Sequence, residues 1–191
     1  MSTSQSAYLA GRLLVAMPGI DDPRFERAVI FVCRHDADHA MGFSVNRPVD
    51  GLTFPRLLKQ LGVATTSDTA RDPVLMGGPV EQERGFVLHT DDYQSDPPSP
   101  GIVGGFALTQ TRDLLVALAN SEPHPRRWVL ALGYAGWDAG QLEREIRDSV
   151  WLTCEADEAL IFGDDHEHKW SRALAKIGIS AGQLSTRGGR A

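Results

Sequence analysis

Ala28-Val29-Ile30-Phe31-Val32-Cys33 is an apolar run rich in β-branched residues, and Met41-Gly42-Phe43-Ser44-Val45-Asn46 is a second. Both suit buried strands. Between them lies the short polar connection Arg34-His35-Asp36-Ala37-Asp38-His39, so the two strands form a hairpin. Upstream, Leu13-Leu14-Val15-Ala16-Met17 reads as a first strand, ended by Pro18-Gly19. Downstream, Pro48 stops the third strand.

The rest of the chain mixes both element types. Leu52 to Leu61 has apolar residues at helical spacing, with Thr53 as N-cap and Pro55 in the first turn. Ala64 to Asp72 is a polar loop. Pro73 to Met76 and Phe86 to Leu88 are short strands around Gly77-Gly78-Pro79. The prolines and aspartates of Thr90 to Pro100 predict an exposed loop. Ile102 to Leu108 is extended, and Thr109 caps a helix reaching about Asn120. Trp128 to Leu132 is a buried strand. Asp138 opens a helix to Asp148, with Gln141 at capping-box spacing. Val150 to Thr153 is a strand, while Ala156 to Phe162 and Lys169 to Ile177 are helices. Frequent hairpins and irregular alternation give an α+β fold with a mixed, mainly antiparallel sheet. Residues 1–191 read as a single domain, with 1–7 and 180–191 as loose tails.

Composition narrows the function classes. With 19 basic and 25 acidic residues the net charge is −6, which argues against general nucleic-acid binding. No stretch approaches the ~20 apolar residues of a membrane span, and the start of the sequence lacks a signal-peptide pattern, so a cytoplasmic location is expected. Cys33 and Cys154 have no C-x-x-C partner and read as buried reduced thiols; a redox pair is the alternative.

Several motifs carry possible chemistry, each beside a structural explanation. Gly178-Ile179-Ser180-Ala181-Gly182 matches the nucleophile-elbow pattern, but a helix precedes it where a strand is required. His35, Asp36, Asp38 and His39 could ligate a metal or simply close a hairpin turn, and His166 and His168 beside Asp164, Asp165 and Glu167 pose the same choice. Gly77 and Gly78 could form an anion nest or a tight turn. The segment from Gly133 through Gly136 to Gln141 lies where phosphate loops sit, yet matches no phosphate-loop pattern and places Asp138 at the helix start.

In order along the chain come Gly11-Arg12-Leu13-Leu14-Val15-Ala16-Met17-Pro18-Gly19, Asp22-Pro23-Arg24-Phe25, Ala40-Met41-Gly42-Phe43-Ser44-Val45-Asn46-Arg47-Pro48, Gly77-Gly78-Pro79-Val80, Gly85-Phe86-Val87-Leu88-His89, and Leu132-Gly133-Tyr134-Ala135-Gly136-Trp137, with Gly140-Gln141-Leu142-Glu143 and Trp151 behind it. This ordered set resembles the bacterial AlgH/YqgE family over about residues 8 to 177. The resemblance implies a bifurcated sheet closing into a pseudo-barrel flanked by helices, with no established enzyme activity or cofactor. A role in regulating alginate synthesis has been proposed for the family, but no common DNA-binding motif belongs to its pattern. One departure is His39, where the family usually has Gly in the hairpin turn.

The motif residues are mostly Gly, Pro, Asn, Trp and Gln, which shape pockets but are poor nucleophiles. A non-catalytic binding or regulatory adaptor is therefore expected, with a small ligand or a protein as partner. A small-molecule enzyme using His89 or Glu145 as base is the alternative; a directly DNA-binding transcriptional regulator is disfavoured. Asn46, Arg47, His89, Trp137, Gln141 and Glu145 are expected to meet at one polar cleft, because each ends a strand or opens a helix beside a Gly or Pro turn. The rival reading makes them architectural.

Overall fold

A computed structural model describes residues 8–65, 72–110, 112–120 and 122–184. The first apolar run forms β1 (Arg12–Ala16). Leu13 and Val15 join one cluster while Leu14 and Ala16 join another, and all four are 0% exposed. Both faces of the sheet are covered here, which is why the sequence shows continuous apolar runs instead of alternation. The same split recurs in β2 (Val29–His35), where Val29 and Phe31 face one cluster and Ile30 and Val32 the other.

The expected hairpin is present. β2 pairs antiparallel with β3 (His39–Ser44), from Ile30↔Ser44 to His35↔Ala40, with a bulge between Val32 and Arg34. Asp36 closes the turn: its Oδ1 accepts from the N–H groups of Asp38 and His39. No residue of this turn lies in the left-handed region, so His39 stands there without a glycine's freedom.

β4 (Pro48–Thr53) follows, then α1 (Phe54–Gln60), β5 (Pro73–Met76), β6 (Val80–Thr90), β7 (Gly101–Ile102) and β8 (Phe106–Thr109). After them come α2 (Arg112–Ala119), β9 (Trp128–Asp138), α3 (Gln141–Arg147), β10 (Trp151–Glu155), α4 (Glu158–Phe162), α5 (Lys169–Lys176) and α6 (Ala181–Leu184). The sheet runs β10-β1-β2-β3-β9-β6-β8-β7, with β4 and β5 off this path. Every pairing is antiparallel except β5 with β9. The fold is α+β, a curled sheet in the form of a half-barrel with helices around it.

The sheet forks along β9. Its inner half pairs β6 on one edge and β5 on the other, through Leu75↔Ala131 and Met76↔Leu132. Beyond Tyr134 that second edge belongs to β3, through Gly42↔Ala135 to His39↔Asp138. Gly77 stands in the fork, donating its N–H to Leu132 and accepting from Ser44, both at 2.8 Å.

Several boundaries differ from the sequence expectation. Pro48 ends the run before it but opens β4, at the strand-start position where a missing N–H is tolerated. Thr109 ends β8 and does not cap a helix; its hydroxyl is taken by His89, and α2 starts at Arg112. Thr53 is the N-cap of α1 but makes no side-chain capping bond. β6 and β9 are each 11 residues long, extending past their apolar stretches. Part of the expected C-terminal tail is helical, as α6. The expected N-terminal tail 1–7, most of the Ala64–Asp72 loop and the tail beyond 184 lie outside the described residues. Among the described residues, no helix is long and apolar enough to cross a membrane.

Candidate functional site

A cleft of about 640 Å³ opens between the Met17–Phe25 segment and α3, within the ~300–1,000 Å³ range of small-molecule sites. Its floor is set by the end of β9 and the start of α3. Gly140, at φ 69°, makes the reversal that a Cβ would strain. Asp138 donates its N–H to Gln141 Oε1 at 3.0 Å, which is the glutamine half of the expected capping box, formed just ahead of the helix. Gln141 and Glu145 are four residues apart and share one helix face. Gln141 Nε2 donates to Glu145 Oε1 at 2.9 Å.

Two indoles complete the floor. Trp137 Nε1, from β9, donates to Glu145 Oε2 at 2.9 Å; Trp151 Nε1, from the first residue of β10, donates to the same oxygen at 2.8 Å. Trp151 folds back onto α3 because Ser149, just past that helix, turns the chain at φ 57°. The rings meet edge to face at 6.1 Å, and Trp137 and Trp151 are only 5% and 2% exposed. A carboxylate offers about four lone-pair directions. Three are filled here, and one on Oε1 remains.

The opposite wall is the short 3₁₀ turn Pro23–Phe25. Asp22 caps it by accepting from the Arg24 N–H, and the Arg24 guanidinium grips the same carboxylate in a fork. That hydrogen bonding by Arg24 holds the Asp22 carboxyl below its usual range. The Phe25 ring meets Trp151 edge to face at 5.7 Å.

Of the six residues expected to converge, Trp137, Gln141 and Glu145 do, and Gly136 lines the same cleft. Arg47 sits behind the Pro23–Phe25 turn, donating Nη2 to Glu26 O at 2.7 Å, and lines a smaller hollow with Arg24, Phe25 and Pro79. Asn46 ties backbones together: it accepts from Val29 N at 2.9 Å and donates to Arg27 O at 2.8 Å.

His89 does not reach the cleft, and here the expectation is corrected. It pairs with Trp128, nine residues before Trp137 on β9. Extended strand puts these roughly 30 Å apart along the contour. His89 is 0% exposed and fully used: Nδ1 donates to Thr90 O at 2.7 Å, and Nε2 accepts from the Thr109 hydroxyl at 2.7 Å. Of the two candidate bases, His89 is therefore not available to the cleft, while Glu145 lies in it.

Gly77 and Gly78 pack backbone against backbone. A Cβ on Gly78 would lie 2.1 Å from the carbonyl carbon of Tyr134, and one on Gly77 would lie 2.3 Å from Gly133 O. The space an anion would need is filled by chain, and the N–H of Gly77 is already donated to Leu132. Close approach explains both glycines.

The histidine clusters disperse. His35 accepts from Leu9 N at Nδ1 and donates Nε2–H to Glu143, tying the hairpin to α3. His168 pairs with Asp165, while His166 approaches the Val45 carbonyl. Among the described residues no group of three or more His, Cys, Asp and Glu could hold a metal ion. Ser180 lies between α5 and α6 with no strand before it.

Trp151, Phe25, Asp21, Asp22, Arg24 and Asp148 also line the cleft, although none was expected there. The signal was present for two segments, since Asp22-Pro23-Arg24-Phe25 and Trp151 both belong to the family pattern.

The profile of the AlgH-like family matches residues 13–182. A UPF0301 protein of Caulobacter vibrioides is 60% identical over 184 residues, covering 96% of this chain and 94% of that protein. A UPF0301 protein of Bradyrhizobium sp. is 50% identical, covering 99% and 90%. The solution structure of the AlgH protein from Pseudomonas aeruginosa is similar at 37% identity and a TM-score of 0.78, with both chains fully covered. A Corynebacterium diphtheriae protein at 18% identity and a TM-score of 0.69 shares the fold. The chain belongs to the AlgH-like family.

Proposed function

We propose, taking membership of the AlgH-like family as premise, that this chain is a non-catalytic binding or regulatory adaptor of one domain. Its recognition site is the cleft around Glu145. The observation that carries this reading is the Glu145 carboxylate, which lines the cleft, is fixed by two indoles and an amide, and keeps one acceptor direction unfilled. Such an acceptor is directional and preorganised, which suits recognition. It is poorly suited to proton transfer, because three donors already occupy it. No His, Lys or Cys lines the cleft among the described residues, so Ser149 there has no histidine or amine base of the kind that activates a serine nucleophile.

Direct DNA recognition is disfavoured by the net charge of −6. A small ligand or a segment of a protein partner fits the volume. The two free cysteines suit a reducing, cytoplasmic setting. Chemical-shift mapping with a mixed fragment library tests the reading. Perturbations should cluster on Asp22–Phe25, Trp137, Gln141, Glu145 and Trp151, with no binder chemically altered. Saturable binding confined to other surfaces, or turnover of a bound fragment, would refute it.

A further inference from the structure

We infer that the ligand of this cleft carries a cationic group, an alkylammonium or amidinium beside an apolar or aromatic body, and that Glu145 is its acceptor. The inference rests on the binding reading above and adds a charge to it. Glu145 is half-buried on the floor, and its three partners are all neutral N–H groups. Among the described residues no Lys, Arg or His forms an ion pair with it. Carboxylates withdrawn from water are ordinarily matched by a countercharge, and this one lines the cleft with an acceptor direction unfilled.

The surroundings favour the same sign. Arg24 is the one cation among the described residues lining the cleft, and Asp22 already holds it. Asp21 and Asp148 are exposed on the rim, and their carboxylates have no partner among the described residues. An anionic ligand would meet three unmatched carboxylates, a like-charge arrangement that costs affinity. The half-buried Phe25 on the opposite wall suits a cation with an apolar body, because an aromatic π face is negative.

Benzylamine and benzamidine are suitable probes, with benzyl alcohol as neutral and benzoate as anionic control. The indole N–H resonances of Trp137 and Trp151 in the labelled full chain report occupancy. Both cations should shift both resonances saturably, binding about tenfold or more tighter than the alcohol (~1.4 kcal/mol); benzoate should leave them unmoved. Asp21→Asn and Asp148→Asn should each weaken benzylamine about two- to fivefold, and added salt should weaken it further. Both variants are exposed and should keep the free-protein indole positions, which separates lost affinity from lost structure. Glu145→Gln should abolish the preference for the amine. Benzyl alcohol or benzoate binding as tightly as benzylamine would overturn the charge assignment while leaving the cleft a binding site. If no probe moves either indole, both the inference and the reading beneath it are overturned.

Discussion

Lys169 Nζ lies 2.7 Å from the carbonyl oxygen of Val45, a residue 124 positions earlier. The amine also donates to Ile161 O at 3.1 Å. It is 0% exposed and no carboxylate among the described residues is bonded to it, so burial pushes its pKa down to about 7. Lys169 thus ties the link after β3 to the end of α4 as an amine that loses its charge around neutral pH.

This has a pH signature whose sign follows from linkage. Between about pH 7 and the model-peptide value of 10.5, the unfolded chain holds a proton that the folded chain has lost. Stability should therefore rise with pH across that window and lose the gain as pH falls back through 7. Urea denaturation at several pH values should show the slope, and Lys169→Met should flatten it. An identical slope in the variant would show that Lys169 stays charged when folded.

Glu145→Ala leaves two indole N–H groups without an acceptor. Each such loss costs about 1–3 kcal/mol, so a total of roughly 2–6 kcal/mol is expected. Asp148→Ala, on the exposed turn nearby, should stay within about 0.5 kcal/mol. Equal effects in chemical denaturation would remove Glu145 from its structural role.

Gly78→Ala should destabilise by more than about 3 kcal/mol or prevent folding, since the new methyl would overlap the Tyr134 backbone. Gly85→Ala places its Cβ no closer than 3.7 Å to any neighbour and should be tolerated within about 1 kcal/mol. Melting temperatures of the pair distinguish close packing from mere turn flexibility.

Asn46→Ala removes the acceptor of the fully buried Val29 N–H and the donor to Arg27. A loss of about 1–3 kcal/mol is expected, measured as a shift in denaturant midpoint. Arg47→Ala should instead leave stability within about 1 kcal/mol and loosen the Pro23–Phe25 turn, read as faster amide exchange there.

Cys154 is 0% exposed and Cys33 half-buried, and burial raises both thiols above their ordinary pKa. Labelling by a thiol reagent near neutral pH should be slow for both until denaturant is added. Fast native labelling of Cys33 would place its sulfur in solvent.

The hairpin around Asp36 and the strand at Leu13 were legible because local composition and tertiary burial agree there. The length of β9 was not. Its outer half, Tyr134 to Asp138, mixes a glycine, two aromatics and an aspartate with no alternating or continuous apolar pattern, and pairing with β3 makes it a strand. Thr109 misled for a related reason: a hydroxyl before a helical pattern reads as a cap, but His89, 20 residues earlier, claims it. Half of the cleft was visible through Trp137, Gln141 and Glu145, whose spacing is local. The other half comes from Asp22 to Phe25, more than a hundred residues away, and no periodicity links the two. His89 was misassigned because a terminal position beside a turn does not say which end of the sheet the turn occupies.

The pairing of β1 with β10 sets the order in which this protein can be made. Arg12 lies opposite Glu155 and Ala16 opposite Trp151, so one edge of the first strand has no partner until about 140 more residues have been synthesised. At ~5–20 residues per second, that interval is roughly 7–30 s on the ribosome. Throughout it, an apolar strand flanked on one side by β2 presents open N–H and C=O groups on the other, the kind of edge that recruits foreign strands. A β10 deletion leaves that edge open for good, and the shortened chain should aggregate where the full chain stays monodisperse in light scattering.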